Sequence, residues 1–235
     1  MLSDKFWNKY FEVYDVLNEL YPYQHLTGAL VKVLDPKEGE KVLDAGSGTG
    51  NVSKKICAVA KVNLVTLDIS DAGTRLLLEK IPDAEAYIGS LTDKLPFEDE
   101  TFDKVVSNNV IYTLPEKDRE SVAKEFYRVL KPGGVVAVSN ISPGFSPMKI
   151  YNAHLKEEMD KSGFFGTCAK ILKFVIPTLQ IFWFNARIKM ENKDGAYAFL
   201  DEDSQEAFLK SGGFKNVEFH GRHYGDQAVM HKATK

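Results

Sequence analysis

The sequence predicts an α/β fold, a doubly wound parallel sheet with helices on both faces, and three observations carry that expectation. From Glu40 to Asn140 short β-prone apolar runs alternate with amphipathic helical patterns. The first of these runs leads through a glycine loop into a helix. After Asn140 the rhythm stops, and it resumes near residue 199 as a short helix and two strands. Alternation of this kind buries the strands between helices, and right-handed crossovers then give the doubly wound arrangement.

Each element follows in order. Phe6, Tyr10 and Tyr14 share one helical face, and Leu17 and Tyr21 continue the spacing until Pro22 breaks it. A second helix is expected from His25 to Leu34, before the Asp35-Pro36 turn. Strands are expected at Lys41 to Ala45, Asn63 to Asp68, Ala84 to Gly89, Phe102 to Ser107 and Val135 to Asn140. Between them, Asn51 to Ala60 reads as a helix with Val52, Ile56 and Val59 inward, and Ser70 caps a helix that runs through Lys80. Arg119 to Leu130 is a helix burying Val122, Phe126 and Val129, ended by Pro132-Gly133-Gly134. The segment 142–198 carries two helical stretches, the second strongly apolar (Ile171 to Phe184) around Pro177. Asp203 and Glu206 form a capping-box-like pair before a helix that Gly212-Gly213 stops. Val217 to His220 and Gln227 to Lys232 close the chain as an antiparallel hairpin. The chain thus divides into an N-terminal helical cap (1–38), a ligand-binding core (40–140), an insertion (142–198) and closing elements (199–235), all in one domain.

Composition narrows the function. With 235 residues, 44% of them hydrophobic, the chain can bury a full core. A net charge of −3 gives no basic field, so no nucleic-acid partner is expected. Cys57 and Cys168 stand alone and the five histidines lack ligand spacing, so neither a disulfide framework nor a metal site is expected. The N-terminus is acidic and aromatic rather than signal-like, and no apolar run reaches the ~20 residues of a membrane span. The expected location is the cytoplasm.

The strongest signal is Val42-Leu43-Asp44-Ala45-Gly46-Ser47-Gly48-Thr49-Gly50-Asn51. It lies at the carboxyl end of the first strand, where open α/β sheets bind nucleotide-type ligands. Glycines let a ligand approach the backbone, and the helix that follows offers free N–H groups. Dinucleotide enzymes space their glycines G-x-G-x-x-G; here the spacing is G-x-G-x-G, preceded by Asp44. That carboxylate suits an ammonium and disfavours a pyrophosphate. Asp68 ends the second strand, where a carboxylate accepts hydrogen bonds from both ribose hydroxyls.

These residues, together with VTLDIS at 65–70, LPFEDETFDKVVSNNVIYTL at 95–114, FYRVLKPGGVVAVSN at 126–140 and SGGFKNVEF at 211–219, resemble the class I S-adenosylmethionine-dependent methyltransferases. Within them the chain is similar to the group that includes the ubiquinone/menaquinone-biosynthesis methyltransferases, which carry a methyltransferase type 11 domain. The resemblance implies a Rossmann-like seven-stranded sheet with an antiparallel last strand, a helical lid after strand five, and S-adenosylmethionine as cofactor. It implies that Gly46, Ser47, Gly48, Thr49 and Gly50 surround the methionine part, that Asp44 approaches its amino group, that Asp68 takes the ribose and that Ile69 packs on adenine. Relatives commonly end the third strand in Gly-Asp. This chain has Gly89-Ser90-Leu91-Thr92-Asp93, so Ser90 and the Leu91 backbone stand in for that Asp. Tyr10, Tyr14 and Tyr21 resemble aromatic residues that cover the methionine end, and amphipathic core packing explains them equally well.

Methyl transfer from a sulfonium needs alignment and exclusion of water, with a general base only where the acceptor must lose a proton. Acceptor-side candidates are Asn108, Asn109 and Tyr112 after the fourth strand, with His154 in the insertion as a candidate base. Phe164, Phe165, Phe174, Phe182, Trp183 and Phe184 crowd the insertion, and Lys170, Lys173, Arg187 and Lys189 flank its apolar run. A lid packed on the core, a lipid- or quinone-like acceptor and a peripheral membrane contact through 171–184 all remain open. The expected activity is methyl transfer to a small, hydrophobic acceptor. The alternatives are a cofactor-binding interaction protein without activity, and a nicotinamide oxidoreductase, which fits the fold but not the glycine spacing.

Overall fold

The computed structural model describes residues 4–191 and 198–235. Seven strands form one sheet: β1 (Lys41–Ala45), β2 (Asn63–Asp68), β3 (Glu85–Ile88), β4 (Phe102–Asn108), β5 (Leu130–Ile141), β6 (Asn216–His223) and β7 (Ala228–Thr234), in spatial order β3-β2-β1-β4-β5-β7-β6. β1 to β5 pair in parallel, and β7 runs antiparallel to both β5 and β6. The order reverses between β1 and β4, and the carboxyl ends of those strands open the crevice in which such sheets bind ligands.

Side chains along β1 alternate between two cores. Leu43 and Ala45 pack with Val65, Leu67, Phe126 and Leu209 on one face. Val42 packs on the other face with Leu26, Leu30, Ile56 and Met230. The first face is covered by α5 (Glu116–Val129) and α7 (Glu202–Ser211). The second is covered by α2 (Tyr21–Leu34) and α3 (Asn51–Val59). α4 (Asp71–Lys80) begins at the expected cap, with the Ser70 hydroxyl accepting from the Gly73 N–H at 3.1 Å.

Several boundaries move for local reasons. The first helix, α1 (Asp4–Tyr14), gives way to a 3-10 turn at Asp15–Glu19. α2 then starts at Tyr21 rather than His25. Pro22 sits in its first turn, where a missing N–H costs nothing and the fixed φ favours helix, so it opens a helix rather than only ending one. Val59, expected to face inward, is 65% exposed on the last turn of α3. Pro132-Gly133-Gly134 lies inside β5, whose pairing with β4 shifts register there. The cap of α7 is Asp201, two residues before the expected Asp203. Asp201 accepts from the Ser204 N–H at 2.9 Å, and the Ser204 hydroxyl accepts from the Asp201 N–H at 2.8 Å.

The insertion forms α6 (Pro147–Glu191), a helix broken at Gly163 and not at Pro177. At φ 65° and ψ −176° Gly163 takes a conformation that side chains disfavour. Ile150 and Phe184 of α6 pack with Tyr10 and Leu17, so the insertion lies on the N-terminal cap. Among the described residues no helix is long and apolar enough to cross a membrane. The side chains of Lys170, Lys173, Phe174 and Lys189 lie outside the described residues, as does the segment 192–197.

Candidate active site

A cavity of about 210 Å³ lies at the carboxyl ends of β1, β2 and β4. Asp44, Gly46, Ser47, Gly48, Asp68 and Ile69 line it from the first two strands and their loops. Ser90 and Leu91 line it beyond β3, and Asn108, Asn109 and Tyr112 beyond β4. Tyr10, Phe11, Tyr14 and Leu17 close it from the N-terminal cap, and Tyr224 from the β6–β7 turn.

The two carboxylates are held in different ways. Asp44, 2% exposed, accepts from the Ser53 hydroxyl at 2.6 Å and from the backbone N–H of Ser53 in the first turn of α3. Burial pushes its carboxyl up to about 7, against the pull of those bonds. Asp68 accepts from the Gly48 N–H at 2.7 Å and the Ser70 N–H at 2.8 Å, and burial raises its carboxyl too. The Ile69 N–H donates to it as well; of about four acceptor positions on a carboxylate, Asp68 keeps one for a ribose hydroxyl.

The glycine loop differs from expectation in one respect. Its N–H groups are largely consumed within the protein. Gly46 and Ser47 donate to the Leu67 carbonyl, Gly48 to Asp68, and Gly50 to the Ser47 carbonyl. Gly46 has φ 81°, and a Cβ there would collide with Val110. Gly50 packs on Leu77 behind the loop. Four of the wall residues carry a buried side-chain atom without a hydrogen-bond partner: Ser47 Oγ, Asn51 Nδ2, Asn108 Oδ1 and Asn109 Oδ1. Asn109 sits at φ 58°, a left-handed conformation that Asn tolerates better than most residues.

That donor set fits S-adenosylmethionine. Its ammonium would meet acceptors at Asp44 and Asn108, its carboxylate the Asn51 amide donor, and a ribose hydroxyl Asp68. The cofactor carries a net positive charge, and among the described residues the wall offers two carboxylates and no Lys, Arg or His.

Thr49, Gly50 and His154 are not among the residues that line the cavity. Thr49 turns outward. Its hydroxyl donates to Asp15 at 2.7 Å, and its carbonyl accepts from Lys80 Nζ at 2.7 Å. Lys80 in turn pairs with Asp15 at 2.6 Å. This latch ties the 3-10 turn of the cap to the glycine loop and to α4. His154, on α6, accepts from the Tyr21 N–H at 3.4 Å and packs against the Tyr21 ring, 5.3 Å between centroids. It faces the start of α2 because α6 lies outside the cap rather than over the sheet. Tyr21, expected with Tyr10 and Tyr14 at the methionine end, is held in that same contact. Among the described residues of the 142–198 insertion, Phe145 lines the cavity, and the N-terminal helix covers it with Tyr10, Phe11 and Tyr14.

Asn51, Phe11, Tyr23 and Tyr224 are wall residues that the sequence reading did not single out. The position of Asn51 directly after the last loop glycine was a usable signal. Tyr224 had none, since only the sheet topology carries the β6–β7 turn to this site. Among the described residues no three His, Cys, Asp or Glu are grouped to hold a metal.

A family model described as "Methyltransferase domain" matches residues 43–138. The ubiquinone/menaquinone biosynthesis C-methyltransferase of Vibrio vulnificus is 27% identical over 167 residues, spanning 64% of this chain and 62% of that protein, less than two thirds of its length. The enzyme of the same name from Cronobacter sakazakii is 25% identical over 243 residues, covering 94% of this chain and 86% of its own. A candidate S-adenosyl-L-methionine-dependent methyltransferase from Methanococcus maripaludis has the same fold, with a TM-score of 0.61 at 19% identity over 100% of this chain and 96% of that one. In sheet order, glycine loop and domain match the chain is similar to the class I S-adenosylmethionine-dependent methyltransferases. Within that class it is similar to the ubiquinone/menaquinone C-methyltransferases.

Proposed function

We propose that the protein moves the methyl group of S-adenosylmethionine onto a small, largely apolar acceptor held beneath the aromatic cap. The observation that carries this reading is the single cavity that joins the two carboxylates and the asparagines to an aromatic wall. S-adenosylmethionine, when bound, supplies a methyl group already activated on a sulfonium. The chain's residues then have three tasks. Asp44, Asn51 and Asp68 fix the cofactor, with Ser47 beside its methionine part and Ile69, Ser90 and Leu91 beside adenine. Asn108, Asn109 and Tyr112 border the place where acceptor and methyl meet. Tyr10, Phe11 and Tyr14 exclude water there, so alignment contributes most of the rate.

A lipid- or quinone-like acceptor, drawn from a membrane by a peripheral cytoplasmic protein, has one observation behind it. Phe164, Phe165, Leu179 and Trp183 of α6 are exposed, at 64%, 86%, 60% and 57%, and the Arg187 guanidinium lies 6.0 Å from the Trp183 ring. Amphipathic surfaces of this kind sit in the headgroup layer. Cosedimentation with anionic vesicles tests that part: binding lost in Phe165→Ser/Trp183→Ser supports it, and no binding removes it.

The central reading is tested by calorimetric titration with S-adenosylmethionine and S-adenosylhomocysteine. Asp68→Ala removes the ribose bond and is expected to weaken binding by about 10-fold to 100-fold, at roughly 1.5–3 kcal/mol per charged hydrogen bond. Wild type that binds neither ligand would overturn the proposal. Binding then directs a screen for transfer of labelled methyl, starting with quinols and lipids.

A further inference from the structure

Five tyrosines converge on the cavity from four separate elements: Tyr10 and Tyr14 of α1, Tyr23 of α2, Tyr112 after β4 and Tyr224 of the β6–β7 turn. Their rings form a continuous series. Centroids lie 5.1 Å apart for Tyr10 and Tyr14, 6.2 Å for Tyr14 and Tyr23, and 5.9 Å for Tyr23 and Tyr224. Tyr112 stands close enough to Tyr10 and Tyr224 to interact electrostatically with both, and is stacked on Phe199 at 5.4 Å. Hydrophobic packing alone would be met by Phe or Leu at these positions. Five phenols around one space make instead a wall of negative ring faces and hydroxyl oxygens.

We infer that this wall is a cage for a nitrogen centre, and that the methyl acceptor is an amine whose methylated product is an ammonium ion. The inference rests on the methyltransferase reading above and names the substrate class of the same site. Two observations favour an amine over other acceptors. First, among the described residues the wall holds Asp44 and Asp68 and no Lys, Arg or His, so an anionic acceptor such as a carboxylate or phosphate would face two acidic side chains and no cationic one. Second, the positive charge is conserved in transfer to nitrogen. The amine enters as the free base, a form that burial favours. Its lone pair forms the new N–C bond as the C–S bond breaks, and that electron pair returns to sulfur, leaving a thioether. The charge lost by sulfur appears on nitrogen, and any proton carried by the product leaves to water. A cage of aromatic faces stabilises the cation at both ends of that path, as in recognition of quaternary ammonium groups. Burial holds the phenols of Tyr10, Tyr14, Tyr23 and Tyr224 above their ordinary range, so these rings act as neutral walls and not as bases.

The test uses the intact protein saturated with S-adenosylhomocysteine, titrated calorimetrically with choline and with its neutral carbon isostere 3,3-dimethylbutanol. Choline is expected to bind about tenfold tighter, a preference within the range of desolvated cation–aromatic contacts. Tyr112→Phe keeps the ring and is expected to keep the preference; Tyr112→Leu is expected to reduce it several-fold. Equal or tighter binding of the isostere to wild type would overturn the inference, whether or not any variant folds. S-adenosylhomocysteine binding with no preference for choline leaves the methyltransferase reading standing and removes the amine. Failure of S-adenosylhomocysteine itself to bind removes both.

Discussion

The two halves of the candidate site are built differently. The cofactor half comes from strand ends and the loops directly after them, so residues within one short segment, such as Asp44, Gly46 and Gly48, share a wall. The aromatic half is assembled from residues as distant as Tyr10 and Tyr224, each supplied by a different element. Local order fixes the first half through backbone hydrogen bonds, such as the Gly48 N–H to Asp68. The second is fixed by ring contacts and by the Asp15–Thr49–Lys80 latch. Charge recognition is therefore concentrated in the rigid half, and shape recognition in the half that depends on docking of the cap.

Asp44→Asn gives the largest expected effect and breaks the rigid half alone. Burial raises this carboxyl from 3.8 to about 7 in the folded, unliganded protein. The folded state then holds a proton that the unfolded state has released, so stability falls as pH rises from about 4 to 7. The loss is about 4 kcal/mol once both states are ionised. The amide is never ionised, so the variant should melt several degrees higher than wild type at pH 8. It should bind S-adenosylhomocysteine about 100-fold more weakly, because no carboxylate meets the ammonium. In wild type, affinity should fall about tenfold per unit as pH drops below 7, as ligand must displace a proton from Asp44. The variant should lose that slope. A wild-type affinity flat between pH 5.5 and 8 would show that Asp44 does not face the ammonium.

The same contrast governs what could be read in advance. Sheet order, the glycine loop, Asp44, Asp68 and the closing hairpin follow from signals within short windows. Strand alternation, G-x-G-x-G spacing and a strand-ending carboxylate need no knowledge of distant residues. Asn51 was within reach on the same grounds, one position beyond the loop. The identity of the cover was not legible. α1 and the insertion are both aromatic, and only three-dimensional packing decides that α1 lies over the cavity while α6 lies on α1. Thr49 was misplaced for a related reason. Its hydroxyl is turned to Asp15, thirty-four residues away, and no local pattern encodes that pairing.

Lys80→Ala loosens the aromatic half from behind the cavity wall. It removes the ion pair to Asp15 and the bonds to the Thr49 carbonyl and to Asn51 Oδ1, and leaves Asp15 with Thr49. The pair is partly exposed, which limits its worth to about 1 kcal/mol. S-adenosylhomocysteine affinity should therefore fall about fivefold, and proteolysis between residues 4 and 20 should quicken. An unchanged digestion pattern with weaker binding would instead assign Lys80 to the loop rather than to the cap.

The smallest expected effect on activity belongs to His154, and it sharpens the boundary of the aromatic half. The imidazole is buried between Tyr21 and Tyr151, with its Nδ1 accepting from the Tyr21 N–H. A general base must reach the proton it removes directly or through one water. His154 is not on the cavity wall, so it acts through packing. His154→Ala should cost about 1–2 kcal/mol of stability from the lost contact and the unpaired N–H. It should leave the affinity for S-adenosylhomocysteine, and the pH profile of methyl transfer once an acceptor is in hand, as in wild type. Loss of a rate-limiting ionisation in that variant would place the imidazole at the acceptor after all. It would also move the edge of the site from α1 out to α6.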